Sequence, residues 1–239
     1  NPGDQTTLGK DDVCKIDFGV QVNGRIIDSA FTVHFNPMFD PLVQSTKDAT
    51  NTGIKLAGID VRLSELGAAI EEVISSYEVE IGGKTHRVRP VRNLGGHSIE
   101  QYRIHSSKFV PLVANRGARD EPDDKMEEGE FFAIETFAST GRGYIEDGPD
   151  CSHYMKNYKR SSFPTPKTKG QRDLLKYLDE HYSTLCWCRK WIERDGWKRY
   201  LLDLKGLVDL DIIDSVPPLC DIRGSYVSQW EHTLVLKPT

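Results

Sequence analysis

Five side chains able to ligate a metal are spread along this 239-residue chain: Asp17, Asp28, His97, Glu135 and Glu231. Four carboxylates and one imidazole suit a hard to borderline divalent ion such as Mn, Co, Fe or Zn. Taken singly, each is ordinary, because strand carboxylates usually face solvent and a lone His is usually structural. The stretch from Asp17 to Asp28 is different, since its sequence fixes their relative geometry. Residues 13–20 and 25–31 read as strands, and Asn23-Gly24 between them is a strong hairpin signal. A turn centred there sets Asp28 opposite Gly19. Asp17, two residues from Gly19, then shares a face with Asp28, at roughly 7–8 Å along the diagonal. Their carboxylates could converge on two ions about 3.5–4 Å apart. Without a cation or a proton between them they would repel.

The other three donors sit in equally pointed contexts. His97 follows two glycines in Leu94-Gly95-Gly96-His97-Ser98, which permit close backbone approach. Glu135 interrupts the apolar run Phe131-Phe132-Ala133-Ile134-Glu135-Thr136-Phe137, where an unpaired carboxylate is costly. Glu231 opens the last apolar strand, in Trp230-Glu231-His232-Thr233.

These donors need a scaffold, and the chain reads as one. Asp40-Pro41 predicts a helix with an acidic N-cap, running through Leu42, Val43, Ala49 and Ile54 to a cap at Gly58. A second helix starts near Ser64 and carries Leu66, Ile70, Val73, Ile74 and Tyr77. A hairpin turns at Gly82-Gly83, and strands are expected around residues 93–104, 129–136 and 231–236. Hairpin-linked strands predict a mainly antiparallel sheet covered by helices on one face, an α+β arrangement. The charged run Arg119 to Lys125 reads as solvated surface. After the stiff Phe163-Pro164-Thr165-Pro166 segment, residues 173–191 and 196–210 show helical spacing. The expected domains are therefore residues 1–151 with 216–239, and a helical insertion over 152–215.

Bulk composition agrees with an ordinary globular protein. Hydrophobic residues make up 38% and charged residues 28%, and the net charge of −5 gives no general pull toward nucleic acid or anionic membrane. No apolar run reaches the ~18–20 residues needed to cross a bilayer, and no signal peptide is visible. Cys14, Cys151, Cys186, Cys188 and Cys220 are odd in number, lack Cys-x-x-Cys spacing and read as thiols in a reducing cytosol, with a disulfide to an upstream segment as the alternative. The start, Asn1-Pro2-Gly3-Asp4, lacks Met and reads as the middle of a longer protein.

Several segments carry a family resemblance: residues 15–19, 24–33, 96–99, 151–157 and 217–222, together with Glu231-His232-Thr233. The chain resembles the type 2 methionine aminopeptidases over essentially its whole length. That resemblance implies the pita-bread (creatinase/aminopeptidase-like) fold with a winged-helix-like helical insertion. It also implies cytosolic removal of Met from nascent protein N-termini by a monomer carrying two divalent ions. By resemblance, Asp17 chelates one ion, Asp28 and Glu231 bridge, and His97 and Glu135 serve the second. Glu135 would also shuttle a proton, and His105 would contact substrate. Ile104, His153 and Met155 would line the pocket for the Met side chain. Any ribosome contact is expected upstream of Asn1.

Three departures accompany the resemblance. The family's catalytic upstream His has no counterpart here, Gly95 replaces an Asn, and Val216 stands where some relatives carry Tyr. Rival readings are a proline-specific peptidase of the same fold, a metal-free binding protein on this scaffold, and an inactive fragment. The insertion and residues 151–157 argue against the first, and the presence of all five donors argues against the second.

Overall fold

The computed structural model describes residues 1–114, 123–160 and 162–238. Contacts divide the chain into two compact units, Thr7–Glu146 with Cys220–Thr239 and Asn1–Thr6 with Asp147–Leu219.

In the larger unit the elements run β1 Val13–Val22, β2 Arg25–His34, α1 Asp40–Leu56 and α2 Leu63–Ser75. There follow β3 Glu78–Ile81, β4 Lys84–Arg87, β5 Arg89–Pro90, β6 Gly95–Ile99, β7 Phe109–Pro111 and β8 Phe131–Ser139. The smaller unit contributes β9 His153–Lys156, α3 Lys169–His181, β10 Trp187–Cys188, α4 Arg189–Arg194, α5 Leu201–Asp209 and β11 Ile213–Val216. The chain then returns to the larger unit for β12 Val227–Val235.

The main sheet has the order β1-β2-β12-β8-β6-β7, with β5 also on β8, and all of its pairs are antiparallel. The hairpin register matches the expectation, with Asp28 opposite Gly19 and Asp17 opposite Ala30. Asn23 and Gly24 both have positive φ, 51° and 78°, as a type I′ turn requires. Strand alternation divides β8 between two environments. Phe132, Ile134, Thr136 and Ala138 form one row, and Phe132, Ile134 and Ala138 belong to the core with α1 and α2. Ala133 and Glu135 face the other way.

Helix α1 lies close to the sheet because its buried stripe includes small residues: Ser45, Thr46, Ala49, Thr50 and Gly53. A Cβ on Gly53 would come within 2.9 Å of Ile134. Buried hydroxyls satisfy one another at this seam, with Thr136 Oγ1 donating to the Thr46 carbonyl at 2.9 Å and Thr50 Oγ1 to that of Trp230 at 2.8 Å.

Several sequence expectations need correction. Asp40 is not the cap of α1, because a 3-10 turn over Pro37–Phe39 precedes the helix and Asn36 accepts from Met38 N. Gly58 does not cap its end, since Ala57 already leaves the helix with extended backbone (φ −57°, ψ 132°). Tyr77 lies beyond α2. The strand expected over 93–104 stops at Ile99, and Tyr102 takes a positive φ of 61°. Residues 119–122 of the charged run lie outside the described residues. Asp123 does structural work, accepting from Ser64 N at 3.2 Å and Ser64 Oγ at 2.8 Å in the first turn of α2.

The smaller unit is not purely helical. β9 lies between β10 and β11 in a three-stranded antiparallel sheet. The helical run expected over 173–191 breaks after His181, and Ser183 adopts a left-handed φ of 54°. A capping box of Thr168 and Gln171 starts α3. Leu174, Leu178, Trp187, Ile192, Leu204, Leu207 and Ile213 form this unit's own core. No helix among the described residues is long and apolar enough to cross a membrane. No disulfide joins the five cysteines.

Candidate metal centre

Sheet register alone assembles most of the donors. Asp17 pairs with Ala30, Ala30 with Glu231, and Glu231 with Glu135, so one rung across β1, β2, β12 and β8 carries three carboxylates. The next rung runs from Gly19 to Asp28 and, on the far side, from Ala133 to His97. Each rung mixes the donors with small residues, Ala30 in the first and Gly19 and Ala133 in the second. That leaves room on this face for the five side chains to lean toward one another.

The side chains do converge. Ligand atoms of Asp28, His97 and Glu231 all lie within 4.8 Å of one another. His97 Nε2 is 3.3 Å from Glu135 Oε1 and 3.9 Å from Asp28 Oδ2. The other ring nitrogen of His97 lies 3.4 Å from the Ser98 carbonyl, so Nε2 is the one presented to the carboxylates. Asp17 joins through a linker the sequence reading missed: Gln229 Nε2 donates to Asp17 Oδ2 at 2.9 Å and to Glu135 Oε2 at 3.3 Å. A signal was present, because Gln229 lies two residues before Glu231 and so shares its strand face. Glu231 is 1% exposed and Glu135 9%, while Asp17 is open to solvent.

Such crowding of like charge has a visible electrostatic cost. Burial, followed by the charges of Glu135, Asp28 and Asp17 and a proton shared with Asp28, raises the Glu231 carboxyl to about 10. Burial and then Asp17 and Glu135 raise Asp28 to about 6, against a smaller opposing pull from His97. For His97, burial acts downward, but the hydrogen bond and charge of Glu135 and the charge of Asp28 outweigh it, and the ring is raised overall. Glu231 Oε1 is buried and has no hydrogen-bond partner among the described residues. A buried carboxylate oxygen without a donor, among carboxylates that cannot all ionise, is what a divalent cation would satisfy. The residues present fit such an ion.

The remaining expected site residues divide between the units. His105 belongs here, its ring centroid 4.3 Å from that of His97 and nearly perpendicular to it. Ile104 is half-buried beside it in sequence. His153 and Met155 lie on β9, in the smaller unit, as does Val216 on β11.

The two glycines before His97 prove to be steric requirements. A Cβ on Gly95 would collide with the Val110 carbonyl and one on Gly96 with that of Ala133. An Asn side chain at Gly95 would therefore require β7 to shift. Gly96→Ala should destabilise the protein by ~1–3 kcal/mol, because the obstacle is backbone and not a flexible side chain. Urea unfolding would measure this, and an unchanged midpoint would contradict the geometry.

Comparison with known proteins fits this arrangement. The model of "Metallopeptidase family M24" matches residues 1–164. Methionine aminopeptidase 2A of Arabidopsis thaliana is 54% identical over 100% of this chain and 53% of its own length. Methionine aminopeptidase 2 of Kluyveromyces lactis is also 54% identical, over 100% of this chain and 55% of its own. This chain thus spans about half the length of the curated relatives it matches. Among solved structures, a thermophilic Arx1 superposes with a TM-score of 0.75 at 12% identity, covering 93% of this chain and 63% of its own. Methionine aminopeptidase from Rickettsia prowazekii gives 0.57 at 17% identity, covering 98% and 64%. These two likenesses concern the fold, which is the pita-bread arrangement. A sheet face that concentrates buried carboxylates around an imidazole is what a metal-dependent hydrolase needs, and by its sequence match the chain belongs to metallopeptidase family M24.

Proposed function

We propose that this chain forms the catalytic part of a dinuclear metal-dependent aminopeptidase that removes the N-terminal Met of nascent proteins in the cytosol. The observation that carries the reading is the buried, partnerless Oε1 of Glu231 beside Asp28 and His97. The substrate assignment is supported by the high identity to relatives named methionine aminopeptidase 2.

In this reading Asp17, Asp28, His97, Glu135 and Glu231 would hold two divalent ions. Ions held there would supply Lewis acidity toward water and toward the scissile carbonyl. Glu135, next to His97 at the end of the carboxylate rung, would take a proton from the attacking water and return it to the leaving nitrogen. His105 is exposed and sits against His97. It would donate to the carbonyl oxygen as negative charge develops there, a contribution worth ~2.7–4 kcal/mol for a well-aimed donor. Ile104 would offer apolar contact to the Met side chain.

Release of Met from a short Met-Ala-Ser peptide tests the reading. Activity should vanish after treatment with a chelator and return with Mn²⁺ or Co²⁺. Met release that survives exhaustive chelation would exclude the metal scheme. Binding of the peptide without cleavage, with metal supplied, would favour a binding protein on this scaffold.

A further inference from the structure

We propose that Gln229, locked in place by Thr32, is a positioning residue that holds the two outer carboxylates of the metal centre, Asp17 and Glu135, at a fixed separation. The inference rests on the metal-binding reading above and adds to it a residue with no ligand or proton-transfer role of its own.

The geometry begins in the strand register. Gln229 sits two residues from Glu231, one rung further along β12, and pairs with Phe137 of β8. From there its side chain reaches to Asp17 on β1 and to Glu135 on β8, the two ends of the carboxylate rung. A primary amide has two N–H donors. Here a single nitrogen serves both carboxylates, one on each side of Glu231. Gln229 is 3% exposed and its bond to Glu135 is buried, so water competes little there. An amide is also the right chemistry, since it stabilises two anions without adding a charge that would compete with a cation for them.

Thr32 explains why Gln229 can act as a brace. Gln229 N–H donates to Thr32 Oγ1 at 2.8 Å, and the same hydroxyl donates to the Gln229 carbonyl at 2.8 Å. Both backbone groups of Gln229 are thus tied to β2 through one buried side chain. The mirror arrangement exists on the other side of the Ala30–Glu231 pair. There Asp28 N–H donates to Thr233 Oγ1 at 2.8 Å, and that hydroxyl donates to the Asp28 carbonyl at 2.7 Å. The ladder between β2 and β12 comprises only the pairs Ala30 with Glu231 and Ser29 with His232. Two threonine hydroxyls therefore take over from main-chain ladder bonds on either side of Glu231. They set the spacing and register of the strands that carry Asp28, Gln229 and Glu231.

Losing an outer partner of a metal ligand typically weakens metal binding by about 10–100-fold. The test is calorimetric titration of metal-free protein with Mn²⁺. Gln229→Met keeps the size of the side chain and removes both bonds, so its affinity should drop within that range. Kinetics should follow, with kcat reduced at saturating metal while KM for a Met-Ala-Ser peptide changes little. Thr32→Val should weaken Mn²⁺ binding in the same direction and Thr32→Ser should restore it. This second pair carries the test if Gln229→Met does not fold. Wild-type affinity in Gln229→Met, or equal affinities in Thr32→Val and Thr32→Ser, would overturn the proposal. Absence of Mn²⁺ binding by the wild-type protein would instead overturn the metal reading on which it rests.

Discussion

Glu231→Gln should make the metal-free protein more stable while destroying its affinity for metal. The two effects have one cause. Glu231 is buried among other carboxylates, and its pKa is pushed from an ordinary 4.5 to about 10. At pH 7 the folded state keeps this group protonated, whereas the unfolded chain ionises it freely. Each pH unit between 4.5 and 7 therefore costs the fold about 1.4 kcal/mol, roughly 3 kcal/mol in all. Gln has the same shape, stays neutral in both states and escapes that cost. Its amide can also donate to the neighbouring carboxylates. Urea unfolding in the presence of a chelator at pH 7 should show the gain. Titration of the same variant with Mn²⁺ should show a loss larger than the ~10–100-fold expected for an outer partner, because a charged ligand is gone. A metal-free Glu231→Gln protein less stable than wild type would mean that the carboxylate is satisfied in a way this geometry lacks.

The second large effect is an inverted pH dependence of stability. In the metal-free protein Asp28 is raised from 3.8 to about 6 and Glu231 from 4.5 to about 10, both mainly by burial. Across those windows the folded state binds more protons than the unfolded state. The stabilisation is therefore complete below about 4 and is lost as pH climbs through 6 and toward 10. His97, also raised, acts in the same direction as pH rises through its own range. Asp123 and Asp221 oppose the trend only at low pH, because hydrogen bonds hold both below their usual range despite burial. Metal-free protein should thus lose stability steadily from pH 5.5 to 8.5, by up to about 1.4 kcal/mol per pH unit for each group still titrating. Saturating Mn²⁺ should reverse the slope, since the ion binds the deprotonated ligands. Unfolding midpoints at pH 5.5, 7 and 8.5, with and without metal, would measure both limbs. A flat or rising profile for the metal-free protein would remove the electrostatic basis of the centre.

Much of the centre was readable because it is built on short-range rules. A two-residue turn with a strong local preference set the β1–β2 register, and the register set Asp17 and Asp28 on one face. Glu135 stood out because a carboxylate inside an apolar run demands a partner. The helix boundaries were read less well. Asp40 imitates an N-cap, but Asn36 and a 3-10 turn start the chain turning earlier. Residues 173–191 have helical spacing throughout, yet the chain turns away after His181 because Trp187 and Ile192 are buried in the core of the smaller unit.

What the sequence determined by itself was the set of candidate donors and the common face of Asp17 and Asp28, since alternation along a strand and the hand of a tight turn are local properties. The order in which distant strands meet was decided only by the tertiary structure. That order places Glu231 directly between Ala30 and Glu135, brings His97 one rung away, and hands the outer carboxylates to Gln229. The reason is physical: pairing between strands up to about two hundred residues apart depends on the packing of α1 and α2 beneath the sheet and on two threonine hydroxyls, and the apolar spacing that marks a helix does not say which strands it will cover.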